Sequence, residues 1–237
     1  MAKWRNWRQT LVTIRIIIEG GSPSTNNDVL TSNNTESLRQ SLNSFFSRLL
    51  NIQDISIIII PGFGYRNAAK LFVKDENCYA LFVDSDLPPQ NINNWFIKLK
   101  NENIDNQIII PEKRQKDVYF MIQEMEAWFL KQTKCIEKWA EIENYTKRDS
   151  INISNHKLIS NKNIEEISKP SSTLSLIIKH FYEKKLSSGK RKLATYGKLK
   201  TAPRLLDCID TSELLLHDSE LQRFKENIFK QSRTLIS

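Results

Sequence analysis

Several stretches of this chain are apolar at nearly every position rather than at every second one. They are "TIRIIIEGG", "ISIIIIPGFG" and "CYALFVDSD", with a shorter run, "QIIIPE", after them. A strand with one wet face alternates polar and apolar residues, whereas a strand covered on both faces does not. The isoleucine-rich runs therefore read as strands of a doubly covered sheet. Between them the period becomes helical: "ESLRQSLNSFFSRLL" sets Leu38, Leu42, Phe45 and Leu49 on one face, and "NAAKLFV" and "INNWFIKLKNE" read as shorter helices. This alternation predicts an α/β fold, a mainly parallel sheet with right-handed crossovers and helices on both faces. Ligands of such sheets gather beyond the carboxyl ends of the strands, and Glu19, Gly62, Gly64, Asp84 and Asp86 all fall at such ends.

The 237 residues suit one large domain, or one domain with a smaller addition. After "VYFMIQEMEAWFLKQ", within which "FMIQEMEAWFL" reads as a helix, the texture changes. Residues 131–169 are polar, rich in Asn and Lys and weakly periodic. Helical signals return at "SSTLSLIIKHFYEKKL", "TAPRLLDCID" and "DSELQRFKENIFKQ", with Ser172 or Thr173 and Asp218 or Ser219 as N-caps. The expected division is an α/β domain over residues 1–130 and a mainly helical region over 131–237 packed on it.

At 40% hydrophobic and 26% charged, the composition is that of a globular chain rather than a disordered one. A net charge of +8 favours polyanionic partners, most simply nucleic acid. Cys78, Cys135 and Cys208 are scattered without metal-ligand spacing, which points to a reduced, cytoplasmic setting. The opening "MAKWRNWRQTLVTIRIIIEGG" reads as a first strand rather than a signal peptide, and no apolar run approaches the ~20 residues of a membrane span. Trp4 and Trp7, interleaved with Arg5 and Arg8, suit packing at a sheet edge or docking to a partner. His156, His180 and His217 are isolated, and neither a P-loop nor GxGxxG is present.

Asp84 and Asp86 are two apart, so in an extended chain both side chains point the same way. Crowded carboxylates resist ionising together unless a cation sits between them. Mg²⁺ is commonly held by one or two carboxylates plus water and phosphate oxygens. The competing reading is a strand end whose aspartates cap the following turn. Glu19 closes the first run before Gly20 and Gly21, and would approach the pair if the first and third strands are neighbours. A carboxylate beside a metal can serve as general acid or base in phosphoryl transfer. In "FMIQEMEAWFL", a helix would place Met121, Met125 and Trp128 on a core stripe and Gln123 and Glu126 together, facing either the acids or solvent.

"IIIEGG", "IIPGFG" and "LFVDSD" together resemble the TOPRIM fold of topoisomerases, primases and nucleases of the overcoming-lysogenization-defect type. More closely, "EGG", "VDSD", "FMIQEMEAWFL", Lys169-Pro170 and "YGKLKTAPRLLDCID" are similar to the TOPRIM-like family related to RloB. Its members are often encoded beside an ABC- or SMC-type ATPase in prokaryotic defence loci. The chain departs from that pattern in "GGSPSTNNDV", which lacks an acidic follow-up, and in the Pro-Pro after Asp86. The resemblance implies a Rossmann-like TOPRIM domain in which Glu19 is the general acid/base and Asp84 and Asp86 bind Mg²⁺ or Mn²⁺, with Glu126 as a further metal carboxylate. It implies a metal-dependent nuclease, the toxic effector of an anti-phage system acting through abortive infection with a partner ATPase.

"KKLSSGKRKLATYGKLK" is the densest basic segment, read as a flexible loop or as a phosphate-contacting arm through Lys190, Arg191, Lys192 and Lys198. Arg66, just after "PGFG", lies near the same strand ends. The rival expectations are a non-catalytic adaptor for an ATPase or nucleic acid, and a phosphoryl-transfer enzyme acting on nucleotides.

Overall fold

The structure, a computed structural model, describes residues 12–21, 29–52, 55–101 and 107–236. The Trp4–Trp7 pattern and most of "SPSTNNDV" lie outside the described residues. The chain runs β1 (Val12–Ile18), α1 (Val29–Leu50), β2 (Ile55–Pro61), α2 (Tyr65–Lys74), β3 (Cys78–Asp84), α3 (Asn93–Asn101), α4 (Glu112–Gln115) and β4 (Val118–Met121). These strands form one sheet in the order β2-β1-β3-β4, every neighbouring pair parallel. The fold is therefore α/β with an all-parallel four-stranded sheet flanked by helices, of the Rossmann-like kind.

The continuous apolar runs are accounted for by burial on both faces. Ile14, Ile16 and Ile18 join the core on one side, while Ile17, Leu81 and Val83 join the core on the other. On the first side the helix stripe Leu38, Leu42, Phe45 and Leu49 covers the sheet, all four side chains buried. On the second side lie Ala68, Ala69 and Phe72 of α2 and Trp95 and Leu99 of α3. At Gly62 the end of β2 turns so closely under α2 that a Cβ would stand 2.4 Å from the Ala68 Cβ.

The structure corrects the expectation at the fourth strand. "QIIIPE" forms no strand: Ile108 and Ile110 are buried against the α2–α3 side, but the place beside β3 belongs to "VYFM". Leu81, Phe82, Val83 and Asp84 pair with Val118, Tyr119, Phe120 and Met121, and every residue of β4 is buried. The segment expected as one helix is thus a strand, a turn with Gln123 at φ 62°, and a short helix α5 (Ala127–Lys131).

Helices α6 (Lys134–Ile142), α7 (Pro170–Phe181), α8 (Lys198–Cys208), α9 (Thr211–Leu215) and α10 (Ser219–Ile236) follow, with a small antiparallel sheet β5-β6-β7 (Thr146–Lys147, Tyr182–Lys185, Arg191–Leu193). Their apolar faces enter the same core as β1 and α1, through residues such as Ile177, Leu205 and Phe224. Asp218 accepts the Leu221 N–H and caps α10 as expected. By contrast α7 begins at Pro170, so Ser172 and Thr173 are not its cap; instead Glu124 accepts the Ser171 N–H at 2.6 Å. The outer edge of β4 is sealed by α10: Glu220 accepts the Phe120 N–H, and Arg223 donates to the Val118 and Lys116 carbonyls. Cys78, Cys135 and Cys208 are free and buried. Among the described residues no helix is long and apolar enough to cross a membrane.

Candidate functional site

Because β1 and β3 are neighbours, their carboxyl ends meet, and Glu19 and Asp84 meet with them. Backbone bonds continue past the strands: the Glu19 N–H donates to the Phe82 carbonyl, and the Asp84 N–H donates to Glu19 Oε2 at 3.1 Å. Asp84, 7% exposed, accepts the Met125 N–H on Oδ1 at 2.9 Å. Its other oxygen, Oδ2, accepts from Lys198 Nζ at 3.1 Å.

Glu126 arrives from the turn after β4 rather than from a helix face. It is fully buried, and Oε1 accepts the Tyr196 hydroxyl at 2.7 Å. Oε2 has no hydrogen-bond partner among the described residues; the Lys198 ammonium stands 3.9 Å away. Tyr196 and Lys198 come from the strap "YGK", Lys198 being the first residue of α8. The turn carrying Glu126 is laced to the end of β3, since Ser85 Oγ accepts the Gln123 N–H and the Asp86 N–H donates to the Gln123 carbonyl.

Asp86 does not stand beside Asp84. The strand ends at Asp84, Ser85 is buried, and Asp86 takes φ 51°, which sends its exposed side chain towards Lys98, 3.6 Å away. The two-residue rule for an extended strand fails because the strand stops between the aspartates. Lys198, from the segment read as a flexible loop or as a phosphate-contacting arm beside the acids, reaches into the acid cluster itself. Arg66 lies in the first turn of α2 above the Gly62–Gly64 turn, at the same sheet edge. Lys190, Arg191 and Lys192 lie on the exposed hairpin of β6 and β7, which replaces the expected loop. Among the described residues no hydrogen bond or ion pair joins these three to the acids. Tyr196 is the residue whose role the sequence did not disclose; its nearness to Lys198 was the available signal.

The cluster raises the proton affinity of Glu19, Asp84, Tyr196 and Lys198. Burial, then the neighbouring Asp84, pushes Glu19 up to about 8. Burial likewise lifts Asp84 to about 6, with Lys198 pulling down and Glu126 pushing up. Burial works against the Lys198 ammonium, but Asp84 and then Glu126 outweigh it and hold it above its ordinary range. Burial, followed by Glu126, keeps the Tyr196 hydroxyl firmly protonated. Several carboxylates thus share one ammonium, an arrangement short of positive charge.

Among the described residues no group of three His, Cys, Asp or Glu side chains is disposed to hold a metal ion. Asp84 and Glu126 nevertheless fit a hard divalent cation, which takes one or two carboxylates and completes its shell with water and phosphate oxygen. The orphaned Glu126 Oε2 supports that fit, because a buried carboxylate oxygen without a donor is costly unless a cation reaches it. No family model matches the chain, and neither does any curated protein or solved structure.

Proposed function

We propose that the chain is a divalent-metal-dependent nuclease of the TOPRIM type that cleaves phosphodiester bonds in DNA or RNA. The observation that carries this reading is the convergence of Glu19, Asp84 and Glu126 at the carboxyl edge, with one buried carboxylate oxygen left without a hydrogen-bond donor. Glu19 after the first strand and Asp84 after the neighbouring third match what the TOPRIM resemblance implies. Asp84 and Glu126 are the residues to hold Mg²⁺ or Mn²⁺, with Asp86 at the border of the site. Bound there, the ion would offset charge on the phosphoryl oxygens and lower the pKa of a water. Glu19, with its carboxyl at about 8, exchanges a proton near neutrality and suits transfer to or from a reacting oxygen. Arg66, Lys190, Arg191 and Lys192 would hold the polyanion backbone. By the same resemblance the nuclease is the cytoplasmic effector of an anti-phage system, working with an ABC- or SMC-type ATPase.

A second reading, a non-catalytic adaptor, is favoured by one observation. Lys198 already offsets Asp84 and Glu126, so the cluster can fasten β3, the β4 turn and α8 without metal. The protein should be incubated with plasmid, single-stranded DNA and RNA in Mg²⁺ or Mn²⁺, with and without a candidate ATPase. Cleavage that disappears in Asp84→Ala supports the nuclease; cleavage untouched by that change removes this site from the reaction.

A further inference from the structure

Lys131 and Lys198 each bridge a pair of acids, and they are built differently. Lys131, on the last turn of α5, is 6% exposed and lies 2.7 Å from Glu165 Oε1 and 2.8 Å from Asp218 Oδ2. Both contacts are full charge-assisted hydrogen bonds, and the side chain is sealed from water. A lysine at that end of a helix also suits the helix dipole. This is a structural clamp.

Lys198 lacks each of those features. It makes one hydrogen bond, to Asp84, and stops at 3.9 Å from Glu126 Oε2, too far for a second. It opens α8, where the helix dipole disfavours a cation, and the first turn contains no acid to compensate. Its side chain is 43% exposed, so little packing holds it in place. Meanwhile Tyr196 pins the far oxygen of Glu126, so the carboxylate keeps its position whether or not the lysine is there. The acids are therefore fixed, whereas the ammonium between them is fastened by charge and one hydrogen bond rather than by packing.

We infer that Lys198 is an exchangeable counter-ion: in the metal-free protein it holds the place of the divalent cation, and it yields that place when the cation binds. The inference rests on the metal-dependent reading above and adds a consequence to it. Binding the metal releases an ammonium at the mouth of the site, where a phosphate would arrive, so the cluster gains substrate affinity only when loaded. An ammonium and a divalent cation repel each other across the same two carboxylates, which favours the exchange.

Two measurements on the full chain test this. The first is Mn²⁺ binding followed by electron paramagnetic resonance. Lys198→Met should bind Mn²⁺ about tenfold more tightly than wild type, because a competing charge has gone. Lys198→Arg, which keeps the charge, should stay within about twofold of wild type, and Asp84→Asn should bind weakly. The second uses wild type alone and survives any folding defect of the variants. Acetylation by an N-hydroxysuccinimide ester, read by mass spectrometry, should speed up at Lys198 on adding Mn²⁺ while Lys131 stays protected. Equal Mn²⁺ affinity in wild type and Lys198→Met, or unchanged labelling of Lys198 at saturating Mn²⁺, overturns the exchange and leaves the nuclease reading standing. Absence of Mn²⁺ binding in every form overturns both.

Discussion

The Tyr196 hydroxyl donates to Glu126 Oε1 across 2.7 Å, joining the strap before α8 to the turn after β4. That bond is the only hydrogen bond to the Glu126 side chain among the described residues, and the carboxylate has no exposure to water. Tyr196→Phe should therefore cost more than an ordinary hydroxyl deletion. Hydrogen bonds to charged groups are worth about 1.5–3 kcal/mol, so in a chain of this size the melting temperature should fall by about 3–12 °C. Calorimetry of the metal-free protein checks this, and an unchanged melting point would mean that Glu126 is solvated.

Glu19 gives stability a pH dependence with a definite sign. Its carboxyl titrates at about 8 in the folded protein against 4.5 as an ordinary glutamate, so the folded state holds the extra proton between those values. The contribution is complete below pH 4.5 and is lost as pH rises through 8. Glu19→Gln cannot lose a proton. In chelator it should match wild type near pH 4 and exceed it by about 4–5 kcal/mol at pH 9. Denaturant melts across that range would show parallel curves if Glu19 were unperturbed.

The two aspartates of "VDSD" should differ in importance. Asp84 is buried and bonded to both Met125 and Lys198, whereas Asp86 is exposed and faces Lys98. In the cleavage assay Asp84→Asn should lose about 100-fold or more, and Asp86→Asn about tenfold or less. Equal losses would place Asp86 inside the site.

Gly62 tests the packing under the site. A methyl there would meet the Ala68 Cβ at 2.4 Å and its Cα at 2.9 Å, atoms that cannot rotate away. Gly62→Ala should lower stability by about 1–3 kcal/mol, seen as an earlier urea midpoint at unchanged slope.

On the β6–β7 hairpin Lys184 faces Lys192 and Lys185 faces Arg191. Like charges directly opposite weaken a hairpin, and a polyanion relieves them. Lys192→Glu should make the hairpin sturdier by up to about 1 kcal/mol while reducing the salt slope of nucleic-acid binding by about 1. Fluorescence anisotropy at several salt concentrations measures the slope, and an unaltered slope would remove the hairpin from the interface.

The sheet was legible because isoleucine runs without alternation have few other uses, and Glu19 and Asp84 followed from strand ends alone. The exchange of "QIIIPE" for "VYFM" was not legible. A short apolar run records that it is buried, as Ile108 and Ile110 are, but not whether a neighbour offers it a hydrogen-bonding edge. The left-handed turn at Asp86 was equally hidden, since an aspartate accepts either sign of φ. Lys198 meets Asp84 across 114 residues, a relation that local pattern cannot contain.

The edge of β4 sealed by α10 bears on the order in which the chain becomes competent during synthesis. Glu19, Asp84 and Glu126 leave the ribosome well before Tyr196 and Lys198, and the residues that close the sheet, Glu220 and Arg223, come later still. A nascent chain halted near residue 130 would carry acids without their tyrosine and lysine, and a parallel sheet with one raw side. An unpaired edge of that kind is an aggregation hazard. The acid cluster is therefore completed only when the strap carrying Tyr196 and Lys198 has been made, and the sheet edge is closed only when α10 follows.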